Sequence, residues 1–390
     1  MIFDGTEKTF TARVERIAAG GAGIARPDGK SVFIDLSAPG DLVRFRLVKE
    51  YKTWARAELL EILEPSPLRI SPLCPLYGRC GGCSLQHLTY EAQIEAKTAI
   101  LRDAFKRIGG FEPPSIRLRS SAPFEYRNRL QFHRTDDGNC GLMERKSTRP
   151  VALDDCPVAE PGIRRALKEG RLRGPSDKKR FTVYSRGKTF LVEGQTERGF
   201  VSILDRELAL DVKVFFQSNA AMLELLIADL REAASKTNRG LPLADIYCGV
   251  GTFAAFLAAE HSGVDLVEEN KAALALARQN VRGSNISYYA EKDTTWVKTL
   301  TDNQRGPWGF VIMDPPRQGL SGGIAKWLAA NGPELAAYVS CDPATLARDS
   351  RLLLDGGYRL KELTLYDFYP QTAHIETLAL FCREGGNHAY

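Results

Sequence analysis

From about residue 216 to the end of the chain, short apolar runs alternate with stretches of helical spacing. The runs are "LADIYCG", "SGVDLVE", "NISYYA", "WGFVIMDPP" and "LAAYVSCD". Parallel strands need a crossover between them, and a helix placed there covers one face of the sheet. An α/β domain with a doubly wound (Rossmann-like) sheet is therefore expected over residues 216–390. In such a sheet ligands bind outside the carboxyl ends of the strands, so residues just after each apolar run are the first candidates for function.

At 390 residues and 44% hydrophobic content, the chain exceeds what one core usually organises. Residues 1–64 alternate apolar and polar positions in "TFTARVERI", "SVFIDL" and "DLVRFRLVKE", which predicts a small five-strand β-barrel. "EPSPLRISP" then serves as a linker to an α+β middle domain over residues 65–215. Within it "LTYEAQIEAKTAILRDAFKRIGG" predicts a helix over 89–108 that docks on the catalytic domain. The start "MIFDGTEKTF" has no basic n-region before an apolar run, and nothing approaches the ~18 apolar residues that cross a bilayer. A cytoplasmic monomer with no membrane partner is expected.

Charge is divided unevenly. Residues 1–215 carry 37 Lys+Arg against 28 Asp+Glu, whereas residues 216–390 carry 16 against 20. The excess peaks in "RRALKEGRLRGPSDKKRFTVYSRGK", residues 164–188, which points to a polyanion bound by the front part, with Lys178, Lys179 and Arg180 in reach of it.

"LADIYCGVGTFAAFLA" is a strand entering a glycine loop and then a helix. Gly249 and Gly251 let a ligand approach the backbone, and Glu268, at the end of the next strand, is placed to bond ribose hydroxyls. This loop alone accommodates either NAD or S-adenosylmethionine. "VIMDPPRQGL" and "YVSCDPATLARD" sit at two further strand ends. An Asp-Pro-Pro beside a cysteine has no obvious use in a dehydrogenase, whereas methylation of a base carbon uses both. Carbon 5 of uracil becomes nucleophilic only after a thiolate adds to carbon 6, and a base must later remove the carbon 5 proton. Cys341 is the candidate nucleophile, with Asp314 at the neighbouring strand end. Cys248 and Cys382 read as structural.

"CPLYGRCGGCSLQH" holds Cys74, Cys80 and Cys83 in a C-x5-C-x2-C spacing. Zinc would take His87 as a fourth ligand; an iron–sulfur cluster would take a distant thiol, Cys140 or Cys156.

Four ordered stretches, "DIYCGVGTF", "DPPRQGL", "VSCDPATLARD" and "DFYPQTAHIETLALF", resemble the motifs of the RNA uracil-5-methyltransferases. The resemblance spans the chain. It implies that Gln217, Tyr247, Glu268 and Asp314 contact S-adenosylmethionine beside the Gly249–Gly251 loop. It makes Cys341 the nucleophile and Glu376 the base that removes the carbon 5 proton. It also implies a TRAM-type RNA-binding barrel and a [4Fe–4S] cluster on Cys74, Cys80, Cys83 and Cys156. A 23S ribosomal RNA uridine is the favoured target, with tRNA uridine 54 as the alternative. Two positions depart from the family pattern: Thr252 replaces its usual Asn, and Lys292 stands where a short polar acceptor is usual. The competing function classes are an NAD-dependent iron–sulfur oxidoreductase and a noncatalytic RNA-binding protein.

Overall fold

The computed structural model describes residues 8–283, 285–303 and 306–383. Its N-terminal strands β1 (Thr9–Ile17), β2 (Gly23–Ala25), β3 (Ser31–Ile34), β4 (Leu42–Glu50) and β5 (Trp54–Glu64) close into a barrel of order β1-β2-β3-β5-β4. The period-2 pattern explains why: Val14, Val32, Ile34, Val43, Phe45 and Ala55 turn inward and are buried. The outward positions carry cross-strand ion pairs such as Arg13–Glu64 and Arg46–Glu58, each 2.5 Å. Buried Asp41 accepts from the Ala38 and Ser66 amides and from Arg69, which fastens the following linker to the barrel.

The cysteine-rich stretch leads into helix α1 (Tyr90–Ala104), capped by Thr89 and prolonged by a π turn, Phe105–Gly109. Strand β6 (Ile116–Arg119) follows. A five-stranded sheet is then built from β7 (Arg129–Arg134), β8 (Cys140–Met143), β9 (Pro150–Ala152), β10 (Arg180–Arg186) and β11 (Thr189–Val192), in the order β11-β10-β7-β8-β9. Helix α2 (Pro161–Lys168) closes its core through Ile163 and Leu167 against Leu130, Phe132, Phe181 and Val183. Strands β12 (Arg198–Ile203) and β13 (Arg206–Asp211) form a separate hairpin.

After α3 (Ala220–Ser235) come β14 (Leu243–Ile246), α4 (Thr252–Leu257), β15 (Val264–Val267), α5 (Lys271–Asn280), β16 (Ile286–Tyr289) and α6 (Asp293–Asn303). They continue with β17 (Phe310–Met313), α7 (Gly322–Asn331), β18 (Leu335–Ser340), α8 (Pro343–Asp355), β19 (Tyr358–Tyr366) and β20 (Glu376–Arg383). The sheet runs β16-β15-β14-β17-β18-β20-β19-β6, with only β20 antiparallel to its neighbours. This is the expected doubly wound fold. Strands β14, β17 and β18 are buried at every position, as a sheet covered on both faces requires.

Three elements that precede residue 216 pack against this sheet or its helices. Strand β6 extends it beyond β19, and the amide of Asn280 on α5 bonds both backbone groups of Ala209 in the hairpin. Helix α1 docks there as well, with Leu101 and Phe105 in one apolar cluster with Leu346 and Ala347 of α8. Among the described residues no helix is long and apolar enough to cross a membrane.

Candidate active site

The carboxyl ends of β14, β15, β17 and β18 open onto a cavity of about 840 Å³. Five of the six residues expected at the cofactor line it: Gln217, Tyr247, Gly249, Glu268 and Asp314. The backbone turns sharply here, with φ of +64° at Tyr247 and +55° at Gly249. Glu268 accepts the Gly249 amide at 3.0 Å and the Asn270 amide at 2.7 Å, so its carboxylate is oriented with lone pairs to spare for hydroxyls. Tyr247 donates to Asp293 at 2.8 Å. Gly251 stands apart from the lining. Its φ of +75° starts α4, and a Cβ there would come within 2.8 Å of Val281 and 3.0 Å of Ala277, so this glycine serves close packing against α5. Both departures from the family pattern, Thr252 and Lys292, lie on the cavity wall.

Cys341 and Glu376 line the same cavity. Strands β18 and β20 pair up to Ser340 opposite Thr377, and the next residue on each chain, Cys341 and Glu376, follows at this end of the ladder, near enough for the Glu376 charge to act on the thiol. Burial pushes the Cys341 thiol up to about 11, and the Glu376 and Asp314 carboxylates add to the rise, while Arg317 works against it. Glu376 is raised well above the ordinary carboxylate range by burial and by Asp314. Burial alone takes Asp314 up to about 7. Asp245, beneath it on β14, is fully buried, reaches about 8, and leaves Oδ1 without a partner among the described residues. These carboxyls form one buried, poorly hydrated group.

Four further residues at this site were not read from the sequence. Arg127, Arg317, Tyr369 and His374 all line the cavity. The Arg127 guanidinium lies 5.7 Å from the Tyr369 ring centroid, and its Nε is buried without a partner among the described residues. His374 is held down to about 4 by burial and by nearby Arg317, Arg127 and Lys97, so it is neutral at physiological pH. Arg317 sits in the "DPPRQGL" stretch, and Tyr369 and His374 in "DFYPQTAHIETLALF", yet nothing in those stretches singles them out as cavity residues; Arg127 lies far from all of these stretches in sequence.

A second cleft, about 720 Å³, reaches Cys341 from the barrel side. It runs from Gly20 past Arg145 and Lys146 to Arg127, Arg317 and Cys341. Gln131 lies on its wall and also on that of a neighbouring groove lined by Lys178, Lys179, Arg180 and Lys213, so the basic stretch adjoins the approach to the site.

Cys74, Cys80, Cys83 and Cys156 surround one small cavity, together with Arg127 and Gln86. Cys140 is not part of it. His87 is engaged elsewhere, with Nδ1 at 2.5 Å from the Tyr77 hydroxyl and Nε2 at 3.1 Å from the Ser37 carbonyl, so neither ring nitrogen is free for a metal. Among the described residues, no three or more Cys, His, Asp or Glu side chains converge tightly enough to hold a metal ion. Burial raises Cys83 to about 12 and Cys156 to about 11, so as bare side chains they are protonated thiols.

The comparisons with known proteins agree with this geometry. Residues 221–329 match the family described as "Methyltransferase small domain", and residues 300–384 match "tRNA (Uracil-5-)-methyltransferase". An uncharacterized RNA methyltransferase of Treponema denticola is 34% identical over 91% of this chain and 94% of its own length. The 23S rRNA (uracil(1939)-C(5))-methyltransferase RlmD of Alkalilimnicola ehrlichii is 30% identical over 96% and 97%. Among solved structures, the Pyrococcus abyssi tRNA (uracil-54, C5)-methyltransferase in complex with S-adenosyl-L-homocysteine matches with a TM-score of 0.71. It is 25% identical and is covered over 95% of this chain and 99% of that one. With a doubly wound domain, a cavity built at its strand ends and relatives matching over nearly the whole length, the chain belongs to the S-adenosylmethionine-dependent RNA uracil-5-methyltransferase family.

Proposed function

We propose that the chain methylates carbon 5 of one uridine in 23S ribosomal RNA through a covalent Cys341 adduct. The observation that carries this reading is the placement of Cys341 near Glu376 on the wall of a cavity that also holds Gln217, Tyr247, Glu268 and Asp314. When bound, S-adenosylmethionine supplies an electrophilic methyl group; every other function falls to the chain. The Cys341 thiol releases its proton to solvent and the thiolate adds to carbon 6, opening the carbon 5–carbon 6 double bond, which moves electron density onto the ring oxygen and makes carbon 5 nucleophilic. Arg127 and Arg317 place positive charge on the wall where that density develops. Glu376 then takes the carbon 5 proton as the carbon–sulfur bond breaks, which restores the double bond and frees Cys341. Burial raises the proton affinity of Glu376, as suits a proton acceptor, while Arg317 opposes that rise and favours the ionised form in which the carboxylate can accept.

The uridine must leave its stack to enter the cavity, which favours a loop or bulge over a duplex. The basic cleft that leads to Cys341 suits such a strand, and the barrel at its far end fits a TRAM-type RNA-binding role. A ribosomal target follows the relatives that carry that name. A second reading, tRNA uridine 54, is favoured by the likeness to the P. abyssi enzyme. Mapping 5-methyluridine in ribosomal and transfer RNA from cells lacking this gene separates the two: loss from 23S RNA supports the first, and loss from tRNA alone replaces it. A monomer acting in the cytoplasm completes this reading.

Cys74, Cys80, Cys83 and Cys156 would hold the [4Fe–4S] cluster. All-thiol donors suit iron–sulfur clusters, and these four cysteines line one cavity. Methyl transfer requires no electron, so the cluster's role here is to fasten the segment that carries these cysteines. Anaerobic purification should give brown protein with about four irons; stoichiometric zinc without iron contradicts the assignment.

A further inference from the structure

The chain enters β20 and Glu376 through the turn 367–375, and residues remote in sequence clasp that turn from several sides. Ser84, next to Cys83, donates its amide to the Gln371 carbonyl at 3.0 Å, and the Leu85 amide does the same. The Ser84 hydroxyl accepts the Ala373 amide at 3.0 Å. From α1, Gln93 accepts the Gln371 amide at 2.9 Å and donates to the Gln371 side-chain oxygen at 3.0 Å. Lys97, fully buried, pairs with Asp367 at 2.5 Å and donates to the Tyr369 carbonyl at 3.0 Å. Tyr126 donates to the Pro370 carbonyl at 2.9 Å. The barrel closes on the same point, because a Cβ at Gly21 would meet Ser84 Oγ at 2.9 Å and Ala373 Cβ at 3.2 Å.

This turn does not hold its shape by local preference. Gln371 has φ of +67°, a left-handed conformation that side-chain-bearing residues adopt only where their surroundings over-determine it. Here the surroundings are the two amides from the cysteine-bearing segment and the paired amide of Gln93. The turn also carries Tyr369, His374 and Ile375, all on the catalytic cavity wall, immediately before Glu376. A shift of the turn is therefore passed to the carboxylate near Cys341.

We propose that Ser84 and Gln93 are positioning residues for the proton-removal step: the Ser84 hydroxyl, through the Ala373 amide, and the Gln93 side chain, through Gln371, lock the turn so that Glu376 meets carbon 5 of the methylated adduct. This rests on the reading of Glu376 given above. The cysteine-rich segment then serves the chemistry mechanically, through Ser84, without any electron passing from it. A misplacement of ~1 Å costs on the order of a hundredfold in rate, so partial release of the turn should slow proton removal roughly ten- to hundredfold. Addition and methyl transfer, which depend on Cys341 and the cofactor cavity, should change little.

The test uses full-length holoenzyme with RNA and methyl-labelled S-adenosylmethionine, following the labelled protein–RNA adduct on denaturing gels. Ser84→Ala and Gln93→Ala should each show a methyl burst within about twofold of wild type and an adduct that decays roughly ten- to hundredfold more slowly. Ser84→Thr, which keeps the hydroxyl, should restore wild-type decay. Ser84→Ala should also speed amide hydrogen exchange in residues 371–376 while leaving α8 unchanged. Unchanged adduct decay and unchanged exchange in these variants overturn the proposal, as does a loss of burst and decay in equal measure. Glu376→Gln is the control: if it accumulates no adduct, the role of Glu376 itself fails and exchange alone judges the clasp. If it accumulates adduct and the Ser84 and Gln93 variants do not, only the positioning role fails.

Discussion

Site-specific alkylation of Cys341 in the free enzyme reads the electrostatics of the cavity before any RNA is present. Its thiol sits near 11, about two logarithmic units above an ordinary cysteine, because it is buried and faces the carboxylates of Glu376 and Asp314. At pH 7 that lowers its thiolate fraction about a hundredfold. The more basic thiolate is intrinsically more nucleophilic, with a Brønsted slope of ~0.4–0.5, which returns roughly eightfold. The net expectation is reaction with iodoacetamide about tenfold slower than for an exposed cysteine, still rising with pH beyond 9. Glu376→Gln removes the larger like-charge contribution and should speed alkylation severalfold; Arg317→Gln removes the opposing positive charge and should slow it. The assay is mass spectrometry of the peptide that contains Cys341, timed across pH 6–10. Alkylation at the rate of a free cysteine at pH 7, unmoved by Glu376→Gln, refutes this account of the site.

Further outcomes follow from the same structure. Asp314 titrates near 7, and a cationic sulfonium favours its ionised form, so S-adenosylmethionine affinity should rise roughly tenfold between pH 6 and 8; calorimetry on Asp314→Asn should show much of that dependence gone, and an undiminished slope contradicts it. Lys97 and Asp367 form a pair with both side chains fully buried, so Lys97→Ala should cost about 3–5 kcal/mol in denaturant unfolding by stranding a buried carboxylate, and a loss under ~1 kcal/mol counts against it. Replacing Lys178, Lys179 and Arg180 by Gln should reduce the slope of log affinity for RNA against log salt by up to ~2, measured by filter binding; an unchanged slope makes that groove a solvated surface.

The parts of the fold that read clearly from sequence are those with a strict period. Alternation gave the barrel, with Val43 and Phe45 inward and Arg44 and Arg46 outward, and helical spacing gave α1. Strand β6, only four residues with half-exposed pattern, carries no such signal; its place beyond β19 is a tertiary matter. The hairpin at Arg198–Asp211 does read as β-type runs in "GFVSILDREL", but its docking on Asn280, seventy-one residues from Ala209, is likewise a tertiary matter. At the site, residues at strand ends were legible because the doubly wound topology fixes where strand ends go. Cys341 and Asp314 belong to that group. Arg127 reaches the cavity from isolated bridges to Ala159 and Asn219 just before β7, and Gln371 takes a backbone conformation that no sequence pattern spells out. Gly251 shows the opposite limit, since its spacing suggests ligand contact while its packing against Ala277 and Val281 explains the glycine.

The covalent route through Cys341 and Glu376 is tested most directly by denaturing electrophoresis of the two variants with RNA and methyl-labelled S-adenosylmethionine. Cys341→Ala should still bind both partners yet give no protein–RNA band and no methyl transfer, since the first bond cannot form. Glu376→Gln should give a persistent, methyl-labelled protein–RNA band, since the carbon 5 proton stays in place after the methyl has moved. A labelled band from Cys341→Ala, or full turnover by Glu376→Gln, contradicts the mechanism.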